Sequence, residues 1–206
     1  MPAASASPAA PAAPTFGDDP ALLARVLTPY RPDCRYLLST STASDDELAL
    51  SRGEFAIGES CYIDDTGHFN AVEFNICYNQ LTYFLIAKSV QEGLAPEFRR
   101  WTMDDFWARQ LPGILIAGFT SRFHAPIDPR SFHGEVRFDK ILRRTGADGS
   151  LVMARTSCRF WDDADGRADG EVRLAFVDPP DGVEPGGSQA ADTRTASGLP
   201  KTEADA

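Results

Sequence analysis

Apolar residues are densest between Phe69 and Val90, where only Asn70, Glu73, Asn75, Asn79 and Gln80 break the run with strongly polar side chains near its start. A helix that is apolar nearly all round is a buried helix. The pattern predicts one long central helix over 69–90, opened by the loop Thr66-Gly67-His68. Upstream, Pro20 to Thr28 reads as a short helix, with Pro20 at its first position and Pro29 closing it. Leu48 to Ile57 alternates and reads as a strand, broken by Gly58-Glu59-Ser60. Thr102 caps a second helix start, with Asp105 three residues on as its capping-box partner. Four strand-like runs follow: Ile114 to His124, Phe132 to Arg143, Leu151 to Trp161 and Gly170 to Val177. Turn residues separate them at 125–129, 146–149 and 162–166.

That order is helix, strand, long buried helix, short helix, then an antiparallel meander. It predicts an α+β fold in which an antiparallel sheet wraps around the central helix, the hot-dog architecture. A different α+β sandwich with the same order is the alternative. A lone hot-dog leaves a sheet edge unpaired, so a homodimer or higher assembly is expected.

Composition limits the domain and its partners. Residues 1–17 are nearly all Ala, Pro and Ser, and residues 179–206 are rich in Pro, Gly, Asp, Thr and Ala. Neither end carries the apolar residues that offset ordering entropy, so both are predicted to be disordered tails around one domain spanning 18–178. The start lacks a basic n-region and an apolar h-region, and no window approaches a membrane span. The four cysteines, Cys34, Cys61, Cys77 and Cys158, form no C-x-x-C pair. Their even number leaves disulfides open, but with no export signal a reducing cytoplasm is the expected compartment. With three histidines and no metal-ligand spacing, neither a metal nor a bound cofactor is expected. A net charge of −10 argues against nucleic acid. No glycine-rich phosphate loop or G-x-S-x-G elbow occurs. The basic minority clusters at Arg99-Arg100, Arg122, Arg137 and Arg143-Arg144. Such clusters form either a solvated face or a contact for a phosphate or an acidic carrier.

The polar residues on the apolar helix need explaining, because buried amides and imidazoles are costly unless satisfied. Asn70 fits an N-cap and Glu73 fits the helix N-terminus, roles that need no chemistry. Asn79 lies nine residues further in, where capping cannot account for it. His68 is either a structural histidine or a base at the loop-to-helix junction. Tyr62 either packs with its hydroxyl in water or serves a site, and Arg122 is either a surface ion pair or a ligand cation. Tyr78, Tyr83 and Phe84 read as core.

Several segments carry a resemblance. Leu22-Leu23-Ala24-Arg25-Val26-Leu27, Pro29-Tyr30, Cys34-Arg35-Tyr36-Leu37, Ile57-Gly58-Glu59-Ser60, Tyr62-Ile63, the unbroken Thr66-Gly67-His68-Phe69-Asn70-Ala71-Val72-Glu73, Asn79-Gln80-Leu81 and Ser121-Arg122-Phe123 closely resemble the FcoT-like hot-dog family. That family was first described as long-chain fatty acyl-CoA thioesterases. Relatives in isonitrile lipopeptide biosynthesis add glycine to an enoyl group on an acyl carrier protein. The resemblance runs from about residue 20 to about 178. It implies a site of two tyrosines and two asparagines, which fall on Tyr30, Tyr62, Asn70 and Asn79.

The resemblance alone does not separate hydrolysis from glycine addition; the histidine of the Gly-His-Phe run, suited to proton transfer at the α and β carbons of an acyl chain, favours a Michael addition of glycine to the β carbon of a (2E)-enoyl thioester on an acyl carrier protein. The product is a 3-[(carboxymethyl)amino] fatty acid, with or without thioester release. His68 is the expected base, with Tyr62, Asn70 and Asn79 completing the catalytic set. Tyr30, Glu73, Asn75, Gln80 and Arg122 are expected in substrate binding, Arg122 on the glycine carboxylate. A long-chain acyl-CoA thioesterase and a non-catalytic acyl-binding hot-dog protein are the competing functions.

Overall fold

Asn70 starts the central helix and Gly93 ends it. In the computed structural model, which describes residues 15–44, 48–64, 66–146 and 149–181, helix α2 spans Ala71–Glu92. Asn70 has extended backbone and its side chain caps the first turn, so Phe69 and Asn70, expected within the helix, lie just outside it. Gly93 adopts the left-handed conformation (φ 65°) that closes the last turn. Most of the helix is buried, including Phe74, Cys77, Tyr78, Leu81, Phe84 and Leu85.

The other helices follow the sequence closely. Helix α1 is Pro20–Val26, capped by Asp19, and helix α3 is Met103–Arg109, with the reciprocal Thr102–Asp105 capping box in place. No helix among the described residues is long and apolar enough to cross a membrane.

One seven-stranded antiparallel sheet wraps α2. The strands are β1 (Thr15–Phe16), β2 (Leu37–Ser44), β3 (Ala49–Phe55), β4 (Ile114–Ala125), β5 (Phe132–Gly146), β6 (Gly149–Trp161) and β7 (Arg167–Val177). Their order across the sheet is β1-β2-β3-β5-β6-β7-β4. This is the expected hot-dog arrangement. The inner face holds an aromatic cluster in which Phe55, Phe69, Phe74, Phe132 and Phe160 stack or meet edge to face at 4.8–5.9 Å. Strand β4 forms one edge of the sheet and exposes Leu115, Ile116 and Phe123.

Four features depart from the sequence reading. Strand β2 (LLSTSTAS) was not expected. Its Thr40, Thr42 and Ser44 face inward, and the Thr42 and Ser51 hydroxyls satisfy each other at 2.8 Å. The N-terminal tail limit was too generous, because Thr15–Phe16 pairs with Thr42 and Ala43 as β1 and Phe16 packs on the core. At the other end, Pro180 lies inside the expected tail yet its carbonyl accepts from Arg143 Nη2 at 2.8 Å. The remaining tail residues, 1–14 and 182–206, lie outside the described residues, as do 147 and 148 of the expected turn at 146–149. Strand β7 begins at Arg167 rather than Gly170. The Asp162 carboxylate takes N–H groups of Ala164, Gly166 and Asp128, which tightens the turn and lets pairing start early.

Candidate active site

Residues 56–69 link β3 to α2 and carry most of the site. Backbone bonds hold the ends of this loop: Ala56 N to Tyr36 O, Ile57 N to Pro129 O and Phe69 N to Ile127 O. In the middle, Cys61 is disulfide-bonded to Cys34, and its N–H donates to the Tyr36 hydroxyl at 2.9 Å. The expectation of a reducing compartment had favoured free thiols. The short Pro32–Cys34 turn instead brings the two Cα atoms to 5.4 Å, within bonding geometry. Cys77 and Cys158 are free and buried; burial raises both thiols, Cys158 to about 12.

The loop delivers Tyr62 to Asn70. The Tyr62 hydroxyl donates to Asn70 Oδ1 at 2.6 Å, and the same oxygen accepts from Val72 N and Glu73 N. The Glu73 carboxylate accepts from Asn70 N at 3.1 Å and completes a capping box. Asn70 Nδ2 is buried and has no hydrogen-bond partner among the described residues. An unpaired buried donor at a helix start is suited to an incoming anionic oxygen.

His68 sits beside this cap. Its Nδ1 lies 2.9 Å from Thr66 O. A carbonyl only accepts, so Nδ1 carries the proton of the neutral ring and Nε2 keeps its lone pair. His68 and Asn70 line a pocket of about 390 Å³ together with Phe123 and His124 at the end of β4. His124 escaped the sequence reading. It occupies a β-bulge, where pairing steps from Phe123↔Ala168 to Ala125↔Arg167, and its Nε2 contacts Asp169 of β7. Its Asp169 partner is 45 residues away, so no local motif marks the pair.

The remaining site residues separate into two groups. Asn79 Nδ2 donates to Asn75 Oδ1 at 2.7 Å, so these two amides share one half-buried strip of α2. Tyr30 packs against the core near Tyr83 and Cys77. Burial, reinforced by those two neighbours, raises its hydroxyl well above the usual tyrosine value and keeps it a protonated donor.

Two substrate-binding expectations need correction. Gln80 is fully buried and clamps backbone: Oε1 accepts from Tyr36 N and Leu37 N at 3.0 Å each, and Nε2 donates to Cys34 O at 2.6 Å. It positions the Cys34–Leu37 segment rather than a ligand. Arg122 neighbours Phe123, whose ring meets Phe69 and Phe74 on the inner side, so strand alternation turns Arg122 to the outer face.

Residues 25–176 match the model of the FcoT-like thioesterase domain. The chain belongs to that family. A Streptomyces coeruleorubidus member named (2E)-enoyl-[ACP] glycyltransferase is 55% identical over 163 residues, covering 79% of this chain and 99% of the relative. A Mycobacterium marinum member of the same name is 41% identical, covering 77% of this chain and 86% of the relative. Among solved structures, a sigma28-regulated virulence protein of Campylobacter jejuni aligns at 12% identity and a TM-score of 0.44, over 77% of this chain and 98% of that one. Tyr62 and Asn70 are joined directly, and Asn79 lies nine residues beyond Asn70 along α2.

Proposed function

We propose that the protein adds glycine to the β carbon of a (2E)-enoyl thioester held on an acyl carrier protein. The relatives' shared name supports the reaction. The observation that carries the assignment to this site is the pairing of a carbonyl-anchored His68 with the unpartnered Asn70 Nδ2 on one pocket wall.

The chemistry follows from those atoms. The glycine nitrogen attacks Cβ with its lone pair. The Cα–Cβ π electrons move toward the thioester carbonyl and give an enolate. Asn70 Nδ2, at the positive end of α2, stabilises the enolate oxygen. His68 Nε2 takes a proton from the glycine nitrogen and returns it to Cα, so the step needs neither oxidant nor reductant. Tyr62 fixes Asn70, and the Asn75–Asn79 pair lines the acyl side with Tyr30. The working unit is a homodimer or higher, because β4 is a long edge strand with exposed apolar side chains.

The test is mass spectrometry of an enoyl-carrier protein incubated with the enzyme, with and without glycine. The expected product gains the mass of one glycine, and His68→Ala loses about 10² to 10⁴ in rate. Brisk hydrolysis without glycine and no adduct with it identifies a thioesterase instead. Adduct formation at the wild-type rate by His68→Ala removes the base assignment.

A further inference from the structure

The outer face of the sheet carries a cross-strand row that its neighbours do not explain. Lys140 of β5 lies opposite Arg155 of β6, and Arg155 lies opposite Arg173 of β7. All three are exposed, and none makes an ion pair among the described residues. Like charges placed directly opposite one another destabilise a sheet. The row toward the pocket end is built differently: Arg52, Glu135 and Arg159 alternate in sign, with Glu135 bonded to both arginines at 2.7 and 3.1 Å. The intervening row is also balanced. Arg137 is bonded to Asp139, which also accepts from Ser157, and Glu171 stands opposite Ser157. The three uncompensated cations therefore interrupt an otherwise matched surface, on a chain whose net charge is −10.

The end of the row is shaped as well. Arg173 pairs with Gly118 of β4, and its guanidinium lies where a side chain at 118 would sit, 2.8 Å from an ideal Cβ. Glycine at this position lets the cation lie flat across the edge strand. Gly118 is five residues, about 17 Å, from Phe123 at the pocket. An extended phosphopantetheine arm covers that distance.

We propose that the Lys140–Arg155–Arg173 row docks the acidic helical surface of the acyl carrier protein and aims its prosthetic arm along β4 toward His68. This rests on the carrier-bound substrate of the preceding section. A second copy of this chain would set the same cations against themselves, so charge favours an acidic partner.

Arg155→Glu is the decisive variant, because it puts a carboxylate between Lys140 and Arg173 and restores the alternation of the Arg52 row. Its melting temperature is expected to hold or rise. Direct binding of the enoyl-carrier protein, measured by calorimetry, is expected to weaken about tenfold, and its salt dependence to flatten. Turnover of an enoyl-N-acetylcysteamine thioester, which lacks the carrier, is expected to stay at the wild-type rate. Unchanged carrier binding, or equal losses on both thioesters, overturns the proposal. A changed particle mass in light scattering also overturns it, since the face would then be a self-contact. Binding is read apart from chemistry. A wild type that binds carrier through Arg155 but forms no glycine adduct supports the surface and condemns the reaction.

Discussion

The Tyr62 hydroxyl and the N–H groups of Val72 and Glu73 all converge on a single atom, Oδ1 of Asn70. The start of the central helix and the candidate site are thus built on one amide. Its oxygen serves the fold, and its nitrogen is left without a hydrogen-bond partner among the described residues.

That division is separable. Asn70→Asp keeps an acceptor for the cap, and the helix N-terminus favours the added negative charge. It removes the Nδ2 donor. The melting temperature is expected to stay close to wild type while adduct formation falls by about 10² to 10³. Asn70→Ala loses both and costs about 1 kcal/mol of stability in addition. Full activity in Asn70→Asp would show that the amide nitrogen does not touch the reaction.

Gln80 predicts a stability loss without a direct chemical one. Gln80→Leu strips partners from Tyr36 N, Leu37 N and Cys34 O. Each buried unpaired group costs about 1–3 kcal/mol. A urea titration is expected to show a loss of at least about 3 kcal/mol. A midpoint within error of wild type would mean that the 34–37 segment finds other partners.

The Cys34–Cys61 bond closes a loop with a sequence separation of 27 residues. Chain-entropy arguments give such a closure about 3 to 4 kcal/mol. Dithiothreitol is expected to lower the melting temperature and to raise KM, because the Tyr62 loop loses its mid-point anchor. Cys34→Ser is expected to reproduce both effects and to abolish the response to reductant. A wild type indifferent to reductant would show that the bond does not form in solution.

Acid should weaken the fold in a definable window. The Thr102 hydrogen bonds hold the Asp105 carboxyl below its ordinary range, and the Lys88 bond, with Gln91, does the same for Glu92. A lowered folded-state value means the unfolded chain binds the proton first. The stabilisation is complete above the ordinary carboxylate range, about pH 4, and is lost as pH falls through the lowered values. The urea midpoint is expected to be flat from about pH 7 to 5 and to fall below about pH 4. Thr102→Val is expected to shrink that acid drop, and an unchanged drop would remove Asp105 as a contributor.

Sequence periodicity located α2, both capped short helices and the four strands β4 to β7, because their apolar spacing and cap residues are local signals; the expected four-strand meander holds only for β5, β6 and β7, since β4 crosses over to pair with β7. Periodicity missed β2, whose inward positions are Thr40, Thr42 and Ser44; hydroxyls that satisfy one another across strands look like loop residues one at a time. The direct bond between Tyr62 and Asn70 was not legible in the sequence. Gln80 looked like a ligand contact because its partners, Cys34, Tyr36 and Leu37, lie more than forty residues earlier. Arg122 was misplaced because facing depends on register, and β4 carries two register shifts. His124 depends on one of those bulges and on a distant Asp169, so nothing local announced it.

The sheet order also sets a sequence in time. Strands β5, β6 and β7 are consecutive neighbours joined by short turns, so their contacts close small loops and form early. The 56–69 loop depends on long-range links to Tyr36, Cys34, Ile127 and Pro129. Those links close larger loops, so it settles after the strands. Native-state hydrogen exchange should show β6 amides opening only with global unfolding, while amides of the 56–69 loop open well below that limit. A substrate thioester can then enter while the sheet around α2 stays closed.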